Sequence, residues 1–229
     1  KNKILELHPD LKGEMINGSY IYREGESLYQ FYLTKYAGVD HESGEAQYWA
    51  KDTDGAEYKT SDWSAAYNTN RQASGDLLPT IYGGIGTTLD FYGFDFSIQC
   101  AYQLGGKIYD SGYQALMHGG GSHDLGYNWH KDILNAWTPE NTNSDIPRID
   151  AIDKYTNSSS DRWLTSSDYF AINNITLGYT LPQRWLRNLG IGSLRVYGAA
   201  DNVALFSARR GLDPRMSYTT ASTDRYTPI

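Results

Sequence analysis

The sequence has one cysteine, few cations for its length and no long apolar run. A single thiol, Cys100, excludes an internal disulfide framework and a cysteine-rich zinc site. Lys and Arg number 20 against 27 Asp and Glu, a formal charge of -7. That balance argues against a nucleic-acid partner, because phosphate recognition requires a basic surface. No apolar stretch approaches the ~20 residues that a membrane helix needs. The mean hydropathy of -0.58 argues against membrane helices only, because a strand can be apolar on one face and polar on the other.

What the chain does have is aromatic residues and glycine. Twenty Tyr, six Trp and six Phe make 14% of 229 residues, with 23 Gly beside them. Tyr and Gly with Thr, Asn and Ser favour strands joined by turns, so an all-β fold is expected. Lys1-Asn2-Lys3-Ile4-Leu5 opens without an initiator methionine, and Tyr226-Thr227-Pro228-Ile229 stops where a strand could begin. The chain is therefore read as a piece of a longer one.

The strongest strand signal surrounds Phe91-Tyr92-Gly93. Ile81, Gly83, Ile85, Thr87, Leu89 and Phe91 fall on one face, and Tyr82, Gly84, Gly86, Thr88 and Asp90 on the other. After a tight turn, Phe94, Phe96, Ile98, Cys100, Tyr102 and Leu104 alternate with Asp95, Ser97, Gln99, Ala101 and Gln103. A period of two held for about ten residues matches a tilted membrane strand, whereas soluble strands run nearer five or six. A second pair spans Tyr169–Leu181 and Leu194–Asp201, although Phe170 and Ile172 fall on its nominally polar face. Pro182 to Gly190 reads as a short connection with one helical turn closed by Gly190. Leu28 to Gly38 is a weaker strand candidate. Asp40 to Leu78 and Gly105 to Asp168 show almost no alternation and read as long polar loops. Short turns at one end and long loops at the other are the asymmetry of outer-membrane barrels.

Four blocks resemble the carboxy-terminal part of the SusC/RagA family of TonB-linked outer-membrane proteins of Bacteroidetes. The first runs from Phe31-Tyr32 through Ala37-Gly38-Val39-Asp40 to Ser43-Gly44-Glu45-Ala46-Gln47-Tyr48-Trp49. Gly75-Asp76, Pro79-Thr80-Ile81-Tyr82-Gly83-Gly84, Gly93-Phe94-Asp95-Phe96-Ser97 and Gln103-Leu104-Gly105-Gly106-Lys107-Ile108-Tyr109 make the second. The third is Trp137-Thr138-Pro139-Glu140-Asn141-Thr142-Asn143 with Ile146-Pro147-Arg148, and the fourth is Ser167 to Pro182, continuing into Leu194-Arg195-Val196-Tyr197 and Asp201-Asn202. The resemblance implies that residues 1–229 are part of one barrel domain, an antiparallel transmembrane β-barrel, with a plug domain and a final strand outside this sequence. It further implies an outer-membrane importer that works with a SusD-like surface lipoprotein and is driven through TonB. Its cargo would be oligosaccharide or, alternatively, oligopeptide.

Catalytic and metal signatures are weak. His118, His123 and His130 lie in one Gly-rich stretch near Asp124, but their spacing fits no zinc pattern, and solvated loop residues are the expectation. Asp52-Thr53-Asp54-Gly55 opens like a calcium loop whose later Gly and Glu positions are not met, so a turn is expected. No G-x-S-x-G elbow, P-loop or dinucleotide fingerprint occurs. Neither a catalytic residue, a cofactor nor a metal is expected, and an enzyme is the third reading after transport and a secreted carbohydrate-binding β-sandwich. Strand length separates the first two readings. Trp49, Trp63, Trp129 and Trp163 fall in the long loops and are the candidate cargo contacts, since aromatic faces stack on sugar rings. For any one of them the competing reading is loop packing or contact with the lipoprotein. Tyr102, Tyr169 and Tyr179 near strand ends read as an interfacial aromatic girdle, and Cys100 as a small lipid-facing residue.

Overall fold

The computed structural model describes residues 2–121, 124 and 126–216. In chain order the strands are β1 (Glu14–Asn17), β2 (Tyr20–Arg23), β3 (Gln30–Thr34), β4 (Tyr36–Val39), β5 (Ala46–Lys51), β6 (Glu57–Thr60) and β7 (Arg71–Asp76). They continue with β8 (Ile81–Phe91), β9 (Phe94–Leu104), β10 (Lys107–Tyr109), β11 (Leu164–Ser166), β12 (Tyr169–Thr180) and β13 (Arg195–Ser207). Three short helices interrupt them: α1 (Trp63–Thr69), α2 (Ser111–Leu116) and α3 (Gln183–Leu186).

The four long strands, of 11 to 13 residues, form one antiparallel sheet ordered β13-β12-β9-β8. The hairpin between β8 and β9 turns on Tyr92 and Gly93, with φ of 47° and 87°. Positive φ at both central residues is the turn whose twist matches the strands, and glycine accepts it without strain. The expected facing is observed. Ile85 pairs with Cys100, Leu89 with Phe96 and Phe91 with Phe94, so the apolar residues of both strands share one face. On that face Ile81, Ile85, Leu89, Phe94, Leu177, Val196 and Phe206 are all exposed.

Phe170 and Ile172, expected on the polar face, lie on the apolar one. The cause is a β-bulge at Asn173. Ile172 pairs with Cys100 and Asn174 with Gln99, so two steps on β12 match one on β9, and the side-chain phase flips. Against β13 the same two steps span Ala204 to Asp201, and Asn202 takes a φ of 50°. The extra length therefore grows from β9 to β13, bending the sheet at one level. On the polar face, Arg195 Nε donates to Asp95 Oδ1 at 2.9 Å across the intervening strand β12. Gly178 makes this possible, because a Cβ there would lie 2.6 Å from Arg195 Nη2.

Both short connections lie at one end of the sheet. The amide of Thr180 donates to Gly93 O at 2.7 Å, bringing the β12–β13 link beside the β8–β9 turn. In that link α3 and a 3-10 turn over Arg187–Leu189 end on Gly190, whose φ is 69°, as expected. The long segments all lie at the other end.

There the β9–β12 ladder is continued by β10 and β11, which pair through Ile108 and Thr165. Gly105 and Gly106 form the joint, with φ of 76° and 91°. Asp168 accepts from the Gly105 amide at 2.6 Å, and the Gly106 carbonyl accepts from the Ser167 amide at 3.3 Å.

The Asp40 to Leu78 stretch, expected to be a loop with almost no alternation, is instead folded, whereas Gly105 to Asp168 is mostly irregular apart from β10, α2, β11 and short 3-10 turns among the described residues. Asp40 to Leu78 holds β5, β6, α1 and β7. Ala46, Tyr48 and Ala50 alternate inward along β5 and pack on Ala66, Tyr36 and Trp63. Small alanines hide this alternation from a reading that looks for large apolar residues. Asp62 caps α1, accepting from the Ser64 amide at 2.9 Å. Phe31, Leu33 and Leu77 form a second core between β3 and the β7–β8 link. The Leu28 to Gly38 candidate resolves into β3 and β4. After β13, Arg209 ties the chain back to the loops. Its Nε lies 3.2 Å from the buried Asp110 carboxylate, and its guanidinium covers the Tyr113 ring.

Candidate functional site

Where the polar face of the long sheet meets the folded loops, a cavity of about 1270 Å³ opens. One rung of the sheet supplies three of its walls, because Tyr82 pairs with Gln103 and Gln103 with Tyr169. Asn173 joins them. It is the residue left over at the bulge, and the bulge turns it toward the cavity lining. Gln103 is buried and fixed, donating from Nε2 to the Ser167 carbonyl and hydroxyl, each at 3.1 Å.

Three of the four charged groups at the cavity, Asp76, Lys107 and Arg215, are held by hydrogen bonds within the protein, and the fourth, Lys3, is exposed at its mouth. Asp76 accepts from the Leu78 amide at 2.9 Å and the Ser27 hydroxyl at 3.1 Å. Lys107 Nζ donates to the Ser74 carbonyl at 3.0 Å. Arg215 is held by Asp213 through Nε at 2.9 Å and Nη2 at 2.7 Å. Burial pushes the Asp213 carboxyl up, but the Arg215 guanidinium and amide outweigh it and hold that carboxyl below its ordinary range. Tyr82 and Asn173, by contrast, have no side-chain partner among the described residues, and Tyr169 lies beside the Arg215 guanidinium. The cavity therefore offers neutral hydroxyl and amide groups and aromatic faces, which suit an uncharged polar ligand.

The four tryptophans lie outside this cavity lining. Trp163 is 2% exposed, its Nε1 donating to Ser158 O at 2.9 Å and its ring beneath the Arg162 guanidinium. The packing role describes it. Trp63 is half-buried, donating to Ser159 O at 2.7 Å and leaning on Tyr67. Trp49 stands on the outer face of β5, with the ammonium groups of Lys35 and Lys59 at 5.6 and 5.4 Å from its ring. Trp129 is 47% exposed, stacked on His118 with centroids 5.0 Å apart, and Gly120 passes beneath it.

His118 is buried and its Nδ1 accepts from the Gly120 amide, while His130 accepts from the Asp132 amide; both order loop backbone. His123 lies outside the described residues. Among the described residues no three His, Cys, Asp or Glu are grouped as metal ligands. Tyr102 and Tyr179 are on the apolar face, but Tyr169 is not. It pairs with Gln103 on the polar side and lines the cavity, which corrects its reading as a girdle residue. Tyr82, Gln103 and Asn173 were not singled out from the sequence. Their signal was position on the polar side of strands already recognised, together with an Asn-Asn pair inside a strand.

No protein-family profile matches the chain. Over 98% of its length the chain is 30% identical to TonB-dependent receptor P3 of Formosa agariphila, and it covers 23% of that protein. TonB-dependent receptor P26 of the same organism is 25% identical over 62% of the chain and 14% of the relative. Among solved structures, the RagAB peptide transporter superposes with a TM-score of 0.70 at 28% identity, covering 87% of this chain and 22% of that one. The RagAB peptide importer in its open-open state gives 0.73 at 27% identity, covering 93% and 22%. The chain thus spans between 14% and 23% of the length of the proteins it matches, and none of these relatives is named as an enzyme.

Proposed function

The chain is SusC/RagA-like, similar along almost its whole length to one stretch of TonB-dependent receptors of the outer membrane, and on that premise we propose that it forms barrel wall and outer loops of an importer for nutrient oligomers. The observation that carries this reading is a sheet of membrane-length strands with two unlike faces. One is apolar and exposed, and the other opens on a cavity lined largely by neutral polar and aromatic groups. The sheet would close with strands from the rest of the barrel. A SusD-like lipoprotein would cover the loops, and TonB would act through a plug outside this sequence. No covalent chemistry is involved.

For the cargo we favour an oligosaccharide. Tyr82, Tyr169 and Asn173 offer ring faces and neutral hydrogen-bonding groups to sugar hydroxyls, and Trp49, Trp63 and Trp129 add stacking surface in the loops above. An oligopeptide is the second reading, favoured by the RagAB neighbours, which are named a peptide transporter and a peptide importer.

The test is calorimetric titration of the full-length receptor and its co-purified lipoprotein with panels of oligosaccharides and oligopeptides. Saturable binding of one oligosaccharide class, weakened about tenfold by Tyr82→Ala, is expected, since loss of one well-placed polar or stacking contact is worth about 1–2 kcal/mol. Saturable peptide binding would replace the oligosaccharide by the second reading. Binding of neither, with no co-purifying lipoprotein, would overturn the importer reading.

A further inference from the structure

The exposed apolar face of the long sheet is not flat. Near the end where β9 and β12 leave the wall it carries a shallow, open groove of about 620 Å³, lined mainly by Ile85, Tyr102, Leu104, Phe170 and Phe206, together with Tyr169. Its shape has identifiable causes. Tyr102 lies over Gly83, where a Cβ would come 3.0 Å from the tyrosine oxygen, so the ring folds onto the backbone of β8. The bulge at Asn173 brings Phe170 onto this face, and Phe170 and Phe206 pair at a centroid distance of 6.5 Å. Polar side chains, Ser166, Asp168 and Ser207, occur where the strands rise into the loops.

We infer that this groove holds the acyl chain of a lipid of the outer leaflet, beyond the transient contact that any membrane-facing surface makes. The inference rests on the wall reading proposed above. Three features select this occupant. The groove is continuous with the exposed apolar band of Leu89, Leu177 and Val196. Its lining comes from β8, β9, β12 and the end of β13, so further barrel strands would lie beside it and not over it. Its lining is aromatic and aliphatic, and the polar groups at its loop end are engaged within the chain, Asp168 by the Gly105 amide, Ser166 by the Asp168 amide and Ser207 by the Arg209 and Leu212 carbonyls, so that it presents an apolar surface to the acyl chain of a lipid.

The experiment uses the full-length receptor with its lipoprotein in bilayers of a phospholipid brominated on its acyl chains. Phe206→Trp reports on the groove and Val196→Trp on the same face away from it, each read as fluorescence above the unsubstituted protein. Both reporters are quenched at first. On exchange into unbrominated lipid, quenching at position 196 is expected to vanish at once, and quenching at 206 to persist and decay slowly. Parallel loss at both positions would mean ordinary boundary lipid and overturn the proposal. Quenching at 196 but never at 206 would mean that protein, such as a second copy of the receptor, covers the groove. Absence of quenching at both would sink the wall reading itself.

Discussion

Gly105 and Gly106 are required for two reasons at once. Both hold a positive φ, and a Cβ on Gly105 would meet Thr80 Oγ1 at 2.5 Å, while one on Gly106 would meet Ser167 Oγ at 2.9 Å. Gly106→Ala should therefore cost more than the ~1 kcal/mol of unfavourable backbone alone. Hydrogen exchange on the full-length receptor should show protection lost across β10 and β11 and retained in β8 and β9. Unchanged exchange in β10 would contradict the joint. Asp40 illustrates a charge effect at the same scale. The Glu42 amide and then the Ser43 hydroxyl hold its carboxyl below the ordinary aspartate range. A lowered folded value means that the ionised form supports the turn above that range, and that this support is lost as pH falls through the depressed value. The protection of the Gly44 amide, 2.7 Å from Asp40 O, relative to its intrinsic exchange rate at each pH should fall in acid, and Asp40→Asn should remove that pH dependence. The tryptophans show what residue type leaves open. Their placement in the loops was legible, but the burial of Trp163 depends on Arg162, Tyr113 and Ser158 closing around it, which no local pattern encodes.

At the scale of elements, β8 and β9 were legible because both alternate without interruption over a membrane-length span, and β13 was read only as far as Asp201, next to its irregularity at Asn202. The register of β12 was not legible, because alternation assumes one residue per rung and Asn173 breaks that assumption. Deleting Asn173 should restore a straight ladder and turn Phe170 and Ile172 to the polar side, placing Tyr169 and Ala171 on the apolar one. The expected outcome is loss of folded full-length receptor from the outer membrane, read by heat-modifiable migration and surface proteolysis. Normal assembly of the deletion would show that the bulge is dispensable. The shorter elements of the loops were hidden for a different reason. Strand β5 buries two alanines and a tyrosine. Helix α1 is seven residues long, below the length at which periodicity is readable, although its Asp62 cap was a usable signal.

At the scale of the whole molecule, the sheet has one apolar and one polar face and the loops gather at one end. The cavity needs both, since Tyr82, Gln103, Tyr169 and Asn173 come from the wall and Asp76, Lys107 and Arg215 from segments beyond it. A sequence reading could find the strands but not this junction, which exists only once residues far apart in the chain are brought onto one rung. The most direct test is cysteine scanning of β12 in the full-length receptor in its native membrane, with Cys100 replaced by Ser and a water-soluble maleimide as the probe. The account requires labelling at Tyr169, Asn174 and Thr176 and none at Phe170, Ile172, Ile175 and Leu177, so that the labelled phase changes at Asn173. Labelling of both sets would place water on both faces of the sheet and contradict a membrane wall.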